Sequence, residues 1–260
     1  MLDEVNAFAV RPTPPVGTTA AGGNRLLEAL PPEVMARLLP MMRHVNLAPG
    51  QVVAEPGEPA SQIVFPGPKA VLALLSVLPD RRPVETACVG CEGMVGPLLG
   101  RTPAPAFTRA TVLTGGPALL VGAEAWGEAI AASPEALRVV SGYAAAFVAQ
   151  LQQGVACAAL HPVEQRACRW MLMLEDRLGE RSLPLTQEAL ADLLGVRRTT
   201  ITRVIANLEA QGLVRHRRSR IIVVDRPGLE RASCECHGAV RDHFAKAAPG
   251  LYPGADAPQA

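Results

Sequence analysis

Aromatic residues are scarce: two tryptophans, two tyrosines and five phenylalanines make up 3% of the 260 residues. Because 49% of the chain is nevertheless hydrophobic, its cores must be aliphatic and alanine-rich. Long hydrophobic runs are also missing. The longest, such as residues 70–77, fall well below the roughly 20 residues needed to span a bilayer. The N-terminus has no basic region leading into an apolar stretch, so it does not read as a secretory signal. A cytoplasmic chain with no membrane partner is expected. Six cysteines in a chain this long do not make a disulfide framework, which fits a reducing compartment. Hydrolase and nucleotide-binding motifs are absent: there is no Walker glycine loop, no HExxH and no GxSxG. His161 precedes Pro162 at a helix boundary and has no acid partner in the nearby sequence. No enzyme is expected.

What the chain does have is a local concentration of positive charge. Overall it carries 25 basic and 24 acidic residues, yet residues 197–220 hold seven arginines and one acid, Glu209. The same region has strong helical punctuation. Thr186 is placed to cap a short helix with Glu188 in its first turn. Leu190, Ala191 and Leu194 form that helix's apolar stripe, and Gly195 ends it. A second helix begins near Arg197. At 100° per residue Ile201, Val204, Ile205 and Leu208 share one side, and Arg198, Thr199, Thr202 and Arg203 share another. Gly212 stops it. Residues 215–220 are then basic and residues 221–224 a β-type run, the pattern of a hairpin with a charged tip. Two helices joined by a glycine turn, followed by such a hairpin, predict a winged helix-turn-helix whose second helix enters the major groove of double-stranded DNA.

The rest of the chain divides by texture. Residues 1–24 are proline- and glycine-rich and are expected to form a disordered arm. Leu26–Leu39 has helical spacing, with Pro31-Pro32 starting a second short helix. From Val45, short β-type runs alternate with glycine and proline, including a turn at Pro79-Asp80 and a hairpin signal at Gly115-Gly116. This predicts a β sandwich or barrel to residue 132. Residues 133–160 then form a long helix whose seam Leu137, Val140, Ala144, Phe147 and Leu151 steps by three and four, the spacing of a dimer interface. Val163–Leu178 forms a helix that carries Trp170 beneath the helix-turn-helix. Residues 161–246 make up the DNA-binding domain, with 228–246 helical and a loose tail over 247–260. The fold class is α+β.

A β domain, a long helix and a winged helix-turn-helix in this order resemble the Crp/Fnr family of bacterial transcription regulators. The N-terminal resemblance rests on Leu47-Ala-Pro-Gly50-Gln-Val-Val, Gly57-Glu58-Pro59, Phe65-Pro-Gly67 and Glu92-Gly93-Met94-Val95-Gly96. The C-terminal one rests on Leu190-Ala191, Leu194-Gly195-Val196, Arg198, Thr200-Ile201, Arg203-Val204-Ile205 and Leu208. It implies an N-terminal β-roll of the jelly-roll type (a double-stranded β-helix) that senses a small-molecule effector, a homodimer on a near-palindromic operator, and RNA polymerase as a further partner. It places base contacts on Arg198, Thr199 and Arg203, with Thr202 on the same face. Threonine at 199, where the family's best-known members carry glutamate, implies a different half-site. Arg197, Thr200, Arg217, Arg218 and Arg220 are expected on phosphates. An effector pocket would be drawn from Glu92, Gly93, Met94, Val95, Gly96, Arg109 and Thr111. Cyclic-nucleotide-binding relatives carry a Gly-Glu pair where this chain has Gly96-Pro97, and proline supplies neither a carboxylate nor a backbone donor. Tight binding of cAMP or cGMP is therefore not expected.

The cysteines admit a second reading. Cys88-x-x-Cys91 and Cys234-Glu-Cys236-His237 supply soft ligands for a redox- or metal-responsive regulator, although the family's iron–sulfur sensors carry an N-terminal cysteine cluster and residues 1–87 contain none. Cys157 and Cys168 read as helix-packing residues, and no metal site is assigned from the sequence. A third reading makes the protein a ligand-binding module whose winged helix contacts protein.

Overall fold

The computed structural model describes residues 21–78, 83–98 and 104–253. Most of the expected arm, the turn at Pro79-Asp80 and residues 254–260 lie outside them. The chain forms two compact units, Met1–Leu74 with Cys88–Ser141, and Leu75–Ala87 with Gly142–Ala260.

The first unit opens with α1 (Arg25–Glu28) and α2 (Pro32–Leu38). The last residues of the expected arm are in fact packed. Asn24 is 1% exposed and caps α1 by accepting from the Leu27 amide at 3.0 Å. Its amide group donates to the carbonyls of Pro66 and Gly93, each at 2.8 Å. An antiparallel sheet follows, in the order β1 (Arg43–Leu47), β7 (Gly116–Gly122), β3 (Gln62–Pro66). The other sheet has the order β2 (Val52–Ala54), β6 (Arg109–Thr114), β4 (Val71–Ser76), β5 (Val84–Val89), of which residues 75–76 and 84–87 belong to the second unit. Along β6, Ala110, Val112 and Thr114 are buried and alternate with half-exposed residues, the two-residue period of a strand with one face on a core.

Gly115-Gly116 does not make the expected hairpin. β6 and β7 belong to different sheets, and the pair carries the chain from one to the other. A Cβ at Gly115 would lie 2.6 Å from the carbonyl oxygen of Leu47, so close backbone approach, not turn geometry, requires glycine there. The texture of the sequence also hides α3 (Ala123–Ala131), whose buried Trp126 packs on Phe65 with ring centroids 5.0 Å apart and donates to the Leu98 carbonyl at 3.2 Å.

The long helix α4 spans Pro134–Leu160. Ala136, Val140, Tyr143, Ala146, Gln150 and Cys157 are buried on it, while Leu137, Val148, Val155 and Leu160 are exposed. This corrects the expected seam. Val140 is fully buried within its own chain, and Phe147 is half-buried and stacks on Tyr143 at 6.0 Å. The outward stripe runs instead through Leu137, Ala144, Val148, Leu151 and Val155. By length and composition alone, α4 is apolar enough to cross a membrane, although it contains no long unbroken apolar run.

In the second unit α5 (Val163–Leu178) is central, buried at every position from Ala167 onward. It contacts α6 (Gln187–Leu194), α7 (Arg198–Ala210), α8 (Arg226–Ala232) and α9 (Cys236–Ala247). Trp170 on α5 donates its indole N–H to Glu85. A small sheet has the order β8 (Ser182–Leu183), β10 (Arg220–Val223), β9 (Val214–Arg217). The helical stretch expected over 228–246 is two helices, broken at 233–235. The expected loose tail is also partly ordered. Ala248, Leu251 and Tyr252 are buried, Tyr252 packs on Phe244 at 5.2 Å, and its hydroxyl donates to Asp176 at 3.1 Å.

Candidate nucleic-acid interface

Local chemistry builds α6 and α7 as the sequence predicts. The Thr186 hydroxyl accepts from the Ala189 amide at 3.0 Å, satisfying one of the helix's free donors. Gly195 adopts φ 66°, the left-handed conformation that ends α6 and redirects the chain. Ile201, Val204, Ile205 and Leu208 are buried against the unit, leaving the opposite face of α7 outward. Each apolar side chain fully buried in this way stabilises by about 1.5–3 kcal/mol. Asn207 fixes α7 to α5 by donating to Glu164 at 2.7 Å, and Arg166 donates to the Leu194 carbonyl at 2.9 Å.

On the outward face Arg197, Arg198, Thr199, Thr202 and Arg203 are exposed, and Thr200 is half-buried. The Thr202 hydroxyl donates to Gln187 on α6 at 2.9 Å, so it also holds the two helices together. In the β9–β10 hairpin Arg217 stands opposite Arg220, with Arg218 and Ser219 at the tip. Arg220 donates to the Ser182 hydroxyl at 3.0 Å. Glu209 accepts from the His216 amide, so the segment's single acid ties the wing to α7. Arg197, Arg198, Arg203, Arg217 and Arg218 form no ion pair among the described residues. Exposed guanidinium groups of this kind present bidentate donors to phosphate or to guanine.

Behind this face lies a closed ionic network. Asp176 on α5 accepts from Arg226 at 2.6 Å, His237 at 2.8 Å and Tyr252 at 3.1 Å. Burial pushes this carboxyl up, but the hydrogen bonds and charges of His237 and Arg226 outweigh it and hold the group below its ordinary range. Its neighbour Glu175 is raised by burial, against the pull of Arg226. Arg177 donates to Gln150 on α4 at 3.0 Å.

The effector-pocket residues of the first unit are less open. Glu92, Gly93, Met94 and Val95 are buried, Val95 pairs with Val64, and the Gly93 carbonyl is taken by Asn24. Arg109 and Thr111 lie on β6, where the Arg109 guanidinium is paired with Glu55 at 2.9 Å.

The cysteines group differently from their sequence neighbours. Cys88 and Cys91 belong to the first unit. In the second, Cys234 and Cys236 meet Cys157 of α4 and His161 just beyond its end, while His237 faces Asp176. The signal available in sequence was a Cys-x-x-x-His at one end of a helix, which puts both side chains on one face. Cys168 stands apart in the core of α5, its thiol pushed up to about 12 by burial.

Comparison with known proteins agrees with this geometry. Residues 165–232 match the Crp-like helix-turn-helix domain. The chain is 25% identical over 215 residues to the CRP-like cAMP-activated global transcriptional regulator of Mycobacterium tuberculosis, covering 79% of this chain and 95% of that one. Its fold is similar to FixK2 from Bradyrhizobium japonicum (TM-score 0.65, 16% identity, 74% of this chain and 98% of that chain). It is also similar to the c-di-GMP responsive global regulator CLP of Xanthomonas campestris (TM-score 0.61, 18% identity, 74% and 99%).

Proposed function

We propose that the chain, whose residues 165–232 match the Crp-like helix-turn-helix domain, is a transcription regulator of the Crp/Fnr type that binds a near-palindromic DNA operator as a homodimer and acts with RNA polymerase in the cytoplasm. The observation that carries this is the outward face of α7, where Arg198, Thr199 and Arg203 are exposed and the arginines have no acidic partner among the described residues. These three read base edges, Thr202 adjoins them, and Arg197, Thr200, Arg217, Arg218 and Arg220 hold phosphates, which position the protein without reading sequence.

The outward stripe of α4 supplies the dimer seam. Leu137, Ala144, Val148, Leu151 and Val155 keep coiled-coil spacing on a single face. A bilayer would call for apolar groups all round the helix, and Glu135, Arg138 and Gln152 are exposed on it. A second copy is the better match. Two-fold symmetry then sets the recognition helices one DNA turn apart, about 34–36 Å.

The β-roll senses a small molecule other than cAMP held in the usual way. Pro97 follows Gly96 where relatives carry an acid, and Arg109 already neutralises Glu55. The mycobacterial relative is cAMP-activated and the Xanthomonas one c-di-GMP responsive, so neither effector transfers by likeness alone. Calorimetric titration with cAMP should give no micromolar binding. The primary experiment is selection of duplexes from a randomised pool at near-physiological salt. Enrichment of an inverted repeat is expected. Failure to enrich, together with failure to hold random duplex at low salt, would refute DNA binding.

A further inference from the structure

We infer that Cys157, His161, Cys234 and Cys236 form a structural zinc site in the second unit. The four ligand atoms lie within 4.8 Å of one another. A tetrahedral zinc ion with ordinary bond lengths separates two thiolates by about 3.8 Å and a thiolate from an imidazole nitrogen by about 3.6 Å. The chain holds Cys157 Sγ 3.6 Å from Cys234 Sγ, and Cys236 Sγ 3.5 Å from His161 Nδ1. Three sulfurs and one imidazole also match zinc's preference in structural sites, and four protein ligands leave no open position for catalysis. An iron–sulfur cluster fits poorly, because thiolates on different irons stand farther apart than these.

The surroundings supply an independent indication. A metal-bound histidine normally directs its other ring nitrogen to a carboxylate or carbonyl, which fixes the ring and its tautomer. His161 does this: Nδ1 faces the cysteines, and Nε2 lies 3.3 Å from Glu235 Oε1. Gln153 donates to Cys236 Sγ at 3.1 Å, as an amide does to a metal thiolate. A cleft lined by Glu230, Cys234, Glu235 and Asp242 gives solvent access beside the group. All three thiols are buried, and burial raises their pKa values. A dication beside them reverses that balance and releases their protons on binding. The ion would fasten the C-terminal end of α4 to the break between α8 and α9. This explains why 228–246 is two helices: Cys234 lies in the break and Cys236 begins the next helix.

The test uses the whole 260-residue chain, purified without added thiol or oxidant, with zinc measured by elemental analysis and by competition with a chromophoric chelator. One zinc per chain is expected. Cys157→Ser and Cys236→Ser should each lose it, whereas His237→Ala and the Cys88→Ser/Cys91→Ser double variant should keep it. Glu235→Gln should weaken zinc binding about tenfold, the low end for a supporting carboxylate. Cobalt titration of the unaltered chain needs no variant to fold. It should give tetrahedral ligand-field bands and thiolate-to-cobalt charge transfer at one equivalent. Failure to hold zinc against the chelator, zinc retained in Cys236→Ser, or isolation with a Cys157–Cys234 disulfide would each overturn the proposal. None of these readouts depends on DNA.

Discussion

Arginine has opposite roles in two regions of the second unit. Arg226 reaches Asp176, Glu175 and Glu230 at 2.6, 3.3 and 3.0 Å, and its charge is balanced inside the fold. Arg198 and Arg203 on α7 are exposed and form no ion pair among the described residues. A guanidinium surrounded by carboxylates fixes structure, because removing either side strands a buried charge. One left without them keeps its donors for something outside the chain. Arg109 in the first unit is intermediate, half-exposed and paired with Glu55 alone.

Substitutions should separate these roles. Asp176→Ala should have the largest effect, about 3–5 kcal/mol of lost stability, because it removes the buried acceptor of His237 and Tyr252 and one of the three carboxylates around the half-buried Arg226. Chemical denaturation would show this, with the m-value unchanged. The same carboxyl makes stability fall in acid. Its folded pKa lies below the ordinary value, so its contribution is complete above the ordinary range and is lost as pH falls through the lower folded value. Asp176→Asn should flatten that acid limb in melts taken across pH. Arg203→Ala should leave the melting temperature unchanged and relax base preference by about 1–3 kcal/mol, read by competition between selected and mismatched duplexes. Arg218→Ala should weaken selected and random duplex alike and reduce the salt slope of binding by about one. If it relaxed base preference instead, the division between reading and positioning would fail. Arg109→Ala should cost about 0–1 kcal/mol of stability, the range of a half-exposed ion pair.

The same comparison explains what could be read in the sequence. The α7 face was legible because its residues are neighbours along one helix: Arg198, Thr199, Thr202 and Arg203 fall together by periodicity alone. Thr186 and Gly195 marked the ends of α6 for equally local reasons. The Asp176 network joins α5, α8, α9 and the residues after α9, and no period in the chain predicts that His237 turns to Asp176 while His161 turns to the cysteines. Along α4 the apolar spacing is legible, but Val140 of the expected seam is buried within its own chain. A helix apolar on two sides has two stripes, and only packing shows that Val140 faces inward and Val148 outward. Gly115-Gly116 does not signal a hairpin here because a glycine pair marks close backbone approach as well as a turn.

The wing carries a built-in opposition. Arg217 and Arg220 face each other across the β9–β10 ladder, and like charges at directly opposed positions weaken a strand pair. The hairpin is thus tensioned when free and relaxed by any polyanion laid along its tip. Added salt should act on it in two directions, screening the repulsion that loosens the hairpin and competing with the duplex that tightens it. Amide exchange in residues 214–223 should therefore slow both on DNA and in concentrated sulfate, while the grip on DNA falls only in the second case.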